Sequence, residues 1–434
     1  MQNEETHLTR PNPGPPPDIL IRGVESEADR RAVRELLASE FEYRPGLGNA
    51  FARLYDSLLD GDAQVSPACS RVALRDGRVV GHVLLVPRRI CIDGMSLPGG
   101  ILAMTVVAPE HRGQGIGGAL VEEAESLARS KGLAILHVAG DLGFYGRFGY
   151  VEAYVSCQAE MGAAPGPPRS ASVLRQVSPR DAEVLARMSG RNVPVGAAEP
   201  TPDRWRWVLE TRHPFGMLAA NESHLGYRAT EDFCLALQEG NLVTGFLRAA
   251  GDGQTLTVYE AGAESRLSAR GLSDALSAFA VRSGYRRTRL HLPPNNPLMG
   301  AHASPNPSIS EDPELLARVL DPKAVLQGLL PALQHRLAAF GSTEKTVTVS
   351  LSIDDEGIAL SLRDGQLSVQ DEETQVDPEW RVSLPGIALT RAVLGTDSLA
   401  ERIARRPEAA PPLVDALGAL FPPRQPFFWL ADSL

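Results

Sequence analysis

At 434 residues the chain is too long for one typical domain, and two to four are expected. It is 43% hydrophobic and 22% charged, as soluble globular chains are, and its formal net charge of −10 argues against nucleic acid as the main partner. No apolar run reaches membrane-spanning length, the start MQNEETHLTR lacks a secretory pattern, and the four cysteines form no C-x-x-C pair, so a cytoplasmic chain with reduced thiols and no membrane partner is expected.

Residues 1–17 are polar and then proline-rich (PNPGPPP), a composition expected to stay disordered or extended. Asp18–Val24 reads as a short strand. Ser26 to about Phe41 reads as a helix with Val33, Leu36 and Leu37 on its apolar face. Arg71–Leu74 and Arg78–Val86 pair as a hairpin across Asp76-Gly77. Ile90–Leu97 makes another short strand or bend around Asp93-Gly94. The stretch Ile101–Tyr150 organises the rest. Its Ala103–Val107 segment is apolar, β-branched and stopped by Pro109, as a buried strand would be. A glycine-rich turn, Arg112–Gly118, leads into a helix from about Gly118 to Lys131, with Gly132 at the expected C-terminal cap. Leu133–Val138 is a second apolar strand, and Glu152–Met161 a final one.

After the linker Ala163–Arg169 the pattern starts again, loosely. Val173–Val177 with a Pro179–Met188 helix, then Asn241–Ala249, then a Gly271–Ser283 helix with strand Arg287–Leu292, echo the earlier order. The segment matching the glycine-rich turn, SRLSARGLSDAL, has one glycine and is not expected to bind a nucleotide. Trp205, Trp207 and Phe215 read as core or interface. Pro293–Ser308 is a second punctuated stretch. Beyond it come a Pro322–Phe340 helix, four alternating strands expected to form an antiparallel meander, and two or three helices between Gly386 and Leu420. The apolar run Phe427-Phe428-Trp429-Leu430 is expected to dock against the protein itself.

The chemistry lies in the turn. Its glycines let the backbone approach a ligand, and unpaired N–H groups at the helix start favour negative charge. Arg112 adds positive charge at the lip. A pyrophosphate fits; so does a bare strand–helix turn. The P-loop pattern fails because no Gly-Lys-Ser/Thr follows. The dinucleotide pattern is formally met by Gly113, Gly115 and Gly118, with Asp141 near the ribose-binding distance. However, Pro109–Arg112 intervenes between strand and first glycine, and no second βαβ unit follows. The histidines form no HExxH or Cys/His cluster, so no metal is expected.

Arg112-x-x-Gly115-x-Gly117 after a strand ending Val107-Ala108-Pro109 resembles the acetyl-CoA loop of the GNAT acetyltransferase superfamily. Gly143–Tyr150, GFYGRFGY, resembles the segment after the next strand in one GNAT branch. From about residue 18 to 434 the chain resembles the Eis (enhanced intracellular survival) type of N-acetyltransferase. That resemblance implies an α+β / α/β fold: tandem GNAT-like domains, each a mixed sheet flanked by helices, then an α+β sterol-carrier-like domain. The expected limits are a lead-in at 1–17, a catalytic domain at 18–162, a degenerate copy at 170–300 and the third domain at 311–434.

The resemblance also implies site roles. Tyr145 would be the general acid, and the terminal carboxylate, at Leu434, the general base. Thr105, Val106 and Val107 would hold the pantetheine arm of acetyl-CoA. Arg112, Gly113, Gln114, Gly115, Ile116, Gly117 and Gly118 would form the pyrophosphate loop, with Gly140 and Asp141 lining the cofactor. A homo-oligomer, a hexamer in the family, and a small-molecule or peptide amine acceptor are further implications. The family commonly ends in Phe with Asp two residues earlier; here Asp432 is kept and the end is Leu434. The residues agree with such chemistry. Transfer from a thioester to an amine needs one group to take the ammonium proton and another to protonate the thiolate, and a strand N–H near Val107 can meet the oxyanion.

Overall fold

The computed structural model describes residues 14–43, 46–161, 173–211, 231–302, 307–339, 347–354, 356–363, 366–371, 380–406 and 410–429. Most of the lead-in, the 163–169 linker, Phe215 and the chain end at 430–434 lie outside them.

The first part runs β1 (Ile19–Gly23), α1 (Glu27–Glu40), α2 (Leu47–Gly61), β2 (Ser70–Arg75), β3 (Arg78–Ile92), β4 (Met95–Val107), α3 (Ile116–Ser130), β5 (Ile135–Ala139), α4 (Leu142–Tyr145) and β6 (Val151–Glu152). α1 starts at a capping box: the Ser26 hydroxyl accepts from Asp29 N–H, and the Asp29 carboxylate accepts from Ser26 N–H. Arg22 of β1 adds two bonds to that carboxylate, at 2.9 and 3.0 Å, tying strand to helix. α2 has no counterpart among the expected elements. Its signal was nonetheless present, since Ala50, Phe51, Leu54, Tyr55 and Leu58 recur at helical spacing and are buried. The Glu42 carboxylate caps it by accepting from Gly46 and Gly48 N–H.

The Asp76-Gly77 hairpin is present, with φ of 50° and 74° at its corner. The short element expected at Ile90–Leu97 is instead the meeting of two long strands, which turn at Asp93-Gly94 with φ of 53° and 75°. The expected strand Glu152–Met161 divides. β6 stays in the first sheet, while β7 (Val155–Met161) joins the second. Buried Tyr154 marks the crossing, its hydroxyl 2.5 Å from His137 Nδ1.

The second part repeats the order: β8 (Val173–Gln176), helices Ala182–Gly190 and Pro202–Thr211, β9 (Glu231–Glu239), β10 (Leu242–Gly251), β11 (Thr255–Ala263), helix Arg266–Arg282 and β12 (Arg287–His291). Trp205 and Trp207 are buried, as expected of core residues. Then β13 (Ser308–Glu311) pairs with β7, and β14 (Leu315–Val319) returns to lie between β5 and β6. The sheet orders are β1-β2-β3-β4-β5-β14-β6 and β13-β7-β12-β11-β10-β9-β8. Each sheet thus holds a strand from the other part of the chain. Arg318 of β14 pins this exchange by reaching the buried Glu125 of α3 at 2.6 and 2.8 Å.

The third sheet comprises β15 (Val347–Ile353), β16 (Glu356–Arg363), β17 (Gln366–Asp371) and β18 (Trp380–Leu384), in the order β17-β16-β15-β18. It is not the expected antiparallel meander, because β18 pairs with β15 in parallel. Alternation assigns each residue to a face but does not name a strand's neighbour. The helix Pro322–Ala339 lies between β4 and β17, and one apolar core runs from Leu97 through Val325 and Leu333 to Leu360. Three helices follow, at Gly386–Leu394, Leu399–Ala404 and Pro411–Leu420.

The tail then enters the seam between the first two sheets. Val155 N–H donates to Pro426 O at 3.0 Å, and Phe427 N–H to Val195 O at 3.1 Å. Phe427, Phe428 and Trp429 are buried, with Phe428 stacked on His137 and Phe427 beside His291. Arg424 anchors the tail's root on Asp93 at 2.7 Å.

The Asp29 carboxyl is held at about 2, first by its bonds from Arg22, against an ordinary value of 3.8. A depressed carboxyl stabilises the fold above its unfolded value and loses that contribution as pH falls through the folded one. Asp29→Asn is therefore expected to cost about 2 kcal/mol near pH 7, a deficit that shrinks as pH falls from about 4 toward 2, read by denaturant melts across pH.

Candidate active site

The site begins where a ladder stops. β4 and β5 pair in parallel from Gly99–Leu102 to Ile135–Val138 and no further. Just beyond, the β3–β4 register shifts between His82 and Leu84, and Met104 adopts φ 54°. This bulge turns β4 away from β5. Thr105, Val106 and Val107 lie on the diverging segment, at the slot it opens, with the Thr105 hydroxyl buried beside the Tyr145 phenol.

The loop lies beside this segment, where a Cβ at Gly117 would come 3.6 Å from Val107 Cγ2. Gly113 and Gly115 have φ of 75° and 79°, and Gly115 caps α3 without a side chain. Among the described residues, the backbone N–H groups of Gly113, Gln114, Gly115, Ile116, Gly117 and Gly118 meet no protein acceptor. The loop's polar side chains are turned elsewhere. Gln114 accepts from Arg75 at 2.9 Å. Arg112 donates to Val107 O at 2.9 Å and pairs with Glu40 of α1. Arg112 thus braces loop, β4 and α1 together while its side chain stays half-exposed at the lip. The Ile116 side chain points into the core. Gly117 lets loop and α4 meet, since a Cβ there would lie 3.3 Å from Phe144 Cζ.

Asp141 caps α4 by accepting from Gly143 N–H, and Gly140 N–H donates to Glu314 O of the β13–β14 connection at 2.8 Å. Tyr145 lies flat against Gly140, where a Cβ would come 2.4 Å from its ring. Its ring meets Phe144 edge-on at 4.8 Å and Tyr150 at 5.8 Å. Burial pushes the phenol upward, with the neighbouring Thr105 hydroxyl opposing, so Tyr145 holds its proton near neutrality beside the slot. Leu434 lies outside the described residues.

Glu40, Arg75 and the His82–Met104 pair had no reading in the sequence. Each acts on a partner far along the chain, and alternation shows no such partner.

The second sheet contains the same divergence in altered form. β11 and β12 pair only over Thr255–Val258 and Arg287–Leu290, with a register shift between Arg248 and Ala249. Asn296 then donates to Ala261 O at 2.9 Å, inside the divergence. The segment expected to replace the glycine loop is no loop: Ser265 caps a helix beginning at Arg266 by accepting from Ser268 N–H.

Residues 30–150 match the acetyltransferase (GNAT) family. Over 127 residues the chain is 30% identical to the uncharacterized N-acetyltransferase YjhQ of Escherichia coli, covering 29% of this chain and 67% of that protein. The chain belongs to the GNAT acetyltransferase family. It is an N-acetyltransferase, and the GNAT fold implies acetyl-CoA binding.

Solved structures share the GNAT fold over nearly the whole length. A GCN5-related N-acetyltransferase from Kribbella flavida has a TM-score of 0.69 at 20% identity, covering 95% of this chain and 98% of its own. A probable N-acyltransferase from Enterococcus faecalis V583 has a TM-score of 0.70 at 16% identity, covering 95% and 98%. Eis1 from Mycobacterium abscessus has a TM-score of 0.63 at 18% identity, covering 94% and 99%. The loop fits the pyrophosphate of acetyl-CoA on its own evidence: a row of amides at a helix start that meet no acceptor among the described residues.

Gly140→Ala is expected to push Tyr145 off its seat. Transfer rate should fall by about tenfold or more with acetyl-CoA affinity little changed, as rate assays and calorimetry would show.

Proposed function

We propose that this chain transfers the acetyl group of acetyl-CoA directly to a primary amine of a small molecule or peptide. What supports this reading is that the loop amides lie beside the diverging β4 segment, with protonated Tyr145 against Thr105 of that segment. The loop amides would hold the pyrophosphate, and Thr105–Val107 would hold the pantetheine arm. The amine nitrogen bonds to the carbonyl carbon as the carbon–sulfur bond breaks. Tyr145 gives its proton to the leaving sulfur, and a carboxylate takes the proton from the acceptor's ammonium.

The resemblance assigns that carboxylate to the chain end at Leu434. What supports this is the course of the tail, which is buried as far as Trp429 in the seam beside β5. An Eis-type enzyme is the finer reading, with the third sheet and its helices as the sterol-carrier-like unit. The shared core between Leu97 and Leu360 favours for this unit a role in carrying the tail. A cytoplasmic homo-oligomer belongs to the same reading.

Thiol release on mixing the protein with acetyl-CoA and a panel of amines tests the proposal. Binding without release for any amine would make the protein an acetyl-CoA sensor. Tyr145→Phe, and separately deletion of Ser433 and Leu434, should each lower turnover by roughly 10²-fold while leaving the fold intact. Undiminished turnover after the deletion would move the base to another residue.

A further inference from the structure

We infer that His82 is a positioning residue for acetyl transfer: its ring holds the Met104 carbonyl, and with it the left-handed turn of β4 that opens the slot. The inference rests on the transfer-site reading given above.

Met104 carries a Cβ and sits at φ 54° in the middle of a strand, a conformation that β-carbons disfavour. Such a turn persists only where its surroundings hold it. His82 Nδ1 lies 3.1 Å from Met104 O, directly at the register shift. On the other side of the ring, Nε2 lies 2.9 Å from Ser70 Oγ, which lies 3.1 Å from the Tyr55 hydroxyl. Tyr55, Ser70 and His82 are all fully buried, and the Tyr55 and His82 rings meet edge-on at 5.2 Å.

The direction of every proton follows. A carbonyl can only accept, so Nδ1 carries the hydrogen. In the neutral ring Nε2 then accepts, which makes Ser70 the donor. The Ser70 oxygen in turn accepts from Tyr55. Burial pushes the His82 ring down to about 4, so it stays neutral at ordinary pH. The relay runs from α2 through β2 and β3 to the bulge in β4. Thr105, whose hydroxyl lies against the Tyr145 phenol, is the very next residue.

His82→Leu removes the donor, and His82→Asn keeps a donor close to the position of Nδ1 while giving up Ser70. Acetyl-CoA affinity by calorimetry should fall about tenfold in His82→Leu and recover to within about threefold of wild type in His82→Asn. The KM for the amine should change little. A His82 that merely filled the core would make affinity follow the thermal midpoint of each variant. It would also leave Asn no better than Leu. Either result, or unchanged affinity in a folded His82→Leu protein, overturns the inference. Nitrogen-15 NMR of the wild-type imidazole gives an independent reading, and an Nε2–H ring overturns it even if His82→Leu fails to fold. A wild-type protein that binds no acetyl-CoA would overturn the transfer-site reading and this inference together.

Discussion

The rest of the site depends on a ladder of backbone hydrogen bonds that ends early. Parallel strands would go on pairing if nothing prevented it, because an unpaired buried amide is costly. Here β4 bends out of line at Met104 and leaves β5 after Val138. The other edge of β5 is covered by β14 from Ile135 to Ala139, so the opening has only one side. The backbone groups left over on β4 form the wall of a cleft. The same logic governs the loop. Arg75 and Glu40 engage its polar side chains, and among the described residues its amides meet no protein acceptor.

The second sheet shows what happens when such an opening is not kept for a ligand. Its divergence survives, but Asn296 donates into it and Ser265 caps the helix that would have faced a phosphate. Two side chains thus convert a cleft into core. The second sheet instead offers an edge for β7, and the tail runs beside it.

Much of this was legible in the sequence, because much of it is local. Asp76-Gly77 and Asp93-Gly94 announce turns, and the glycines from Gly113 to Gly118 announce a backbone that meets a ligand. GFYGRFGY carries Tyr145, and the glycine that admits its ring, Gly140, stands just before that motif. What could not be read are the choices of partner. Alternation in β7 and β14 reads the same whichever sheet receives them, and β18 carries no mark of its parallel neighbour. Nothing near Arg112 in the sequence announces Glu40, which pairs with it from a helix far upstream. The bulge at Met104 has no glycine to signal it, since a hydrogen bond from His82 serves instead.

The exchange of β7 and β14 bears on how such a protein can evolve. A gene segment ending near residue 161 would encode a first sheet with no strand between β5 and β6, and a β7 with no sheet to join. Moved into another gene, it would arrive with raw strand edges that seek pairing with other chains. The two halves are therefore poor cargo for recombination. They can diverge in sequence, as the filled second cleft shows, but they are bound to be inherited together.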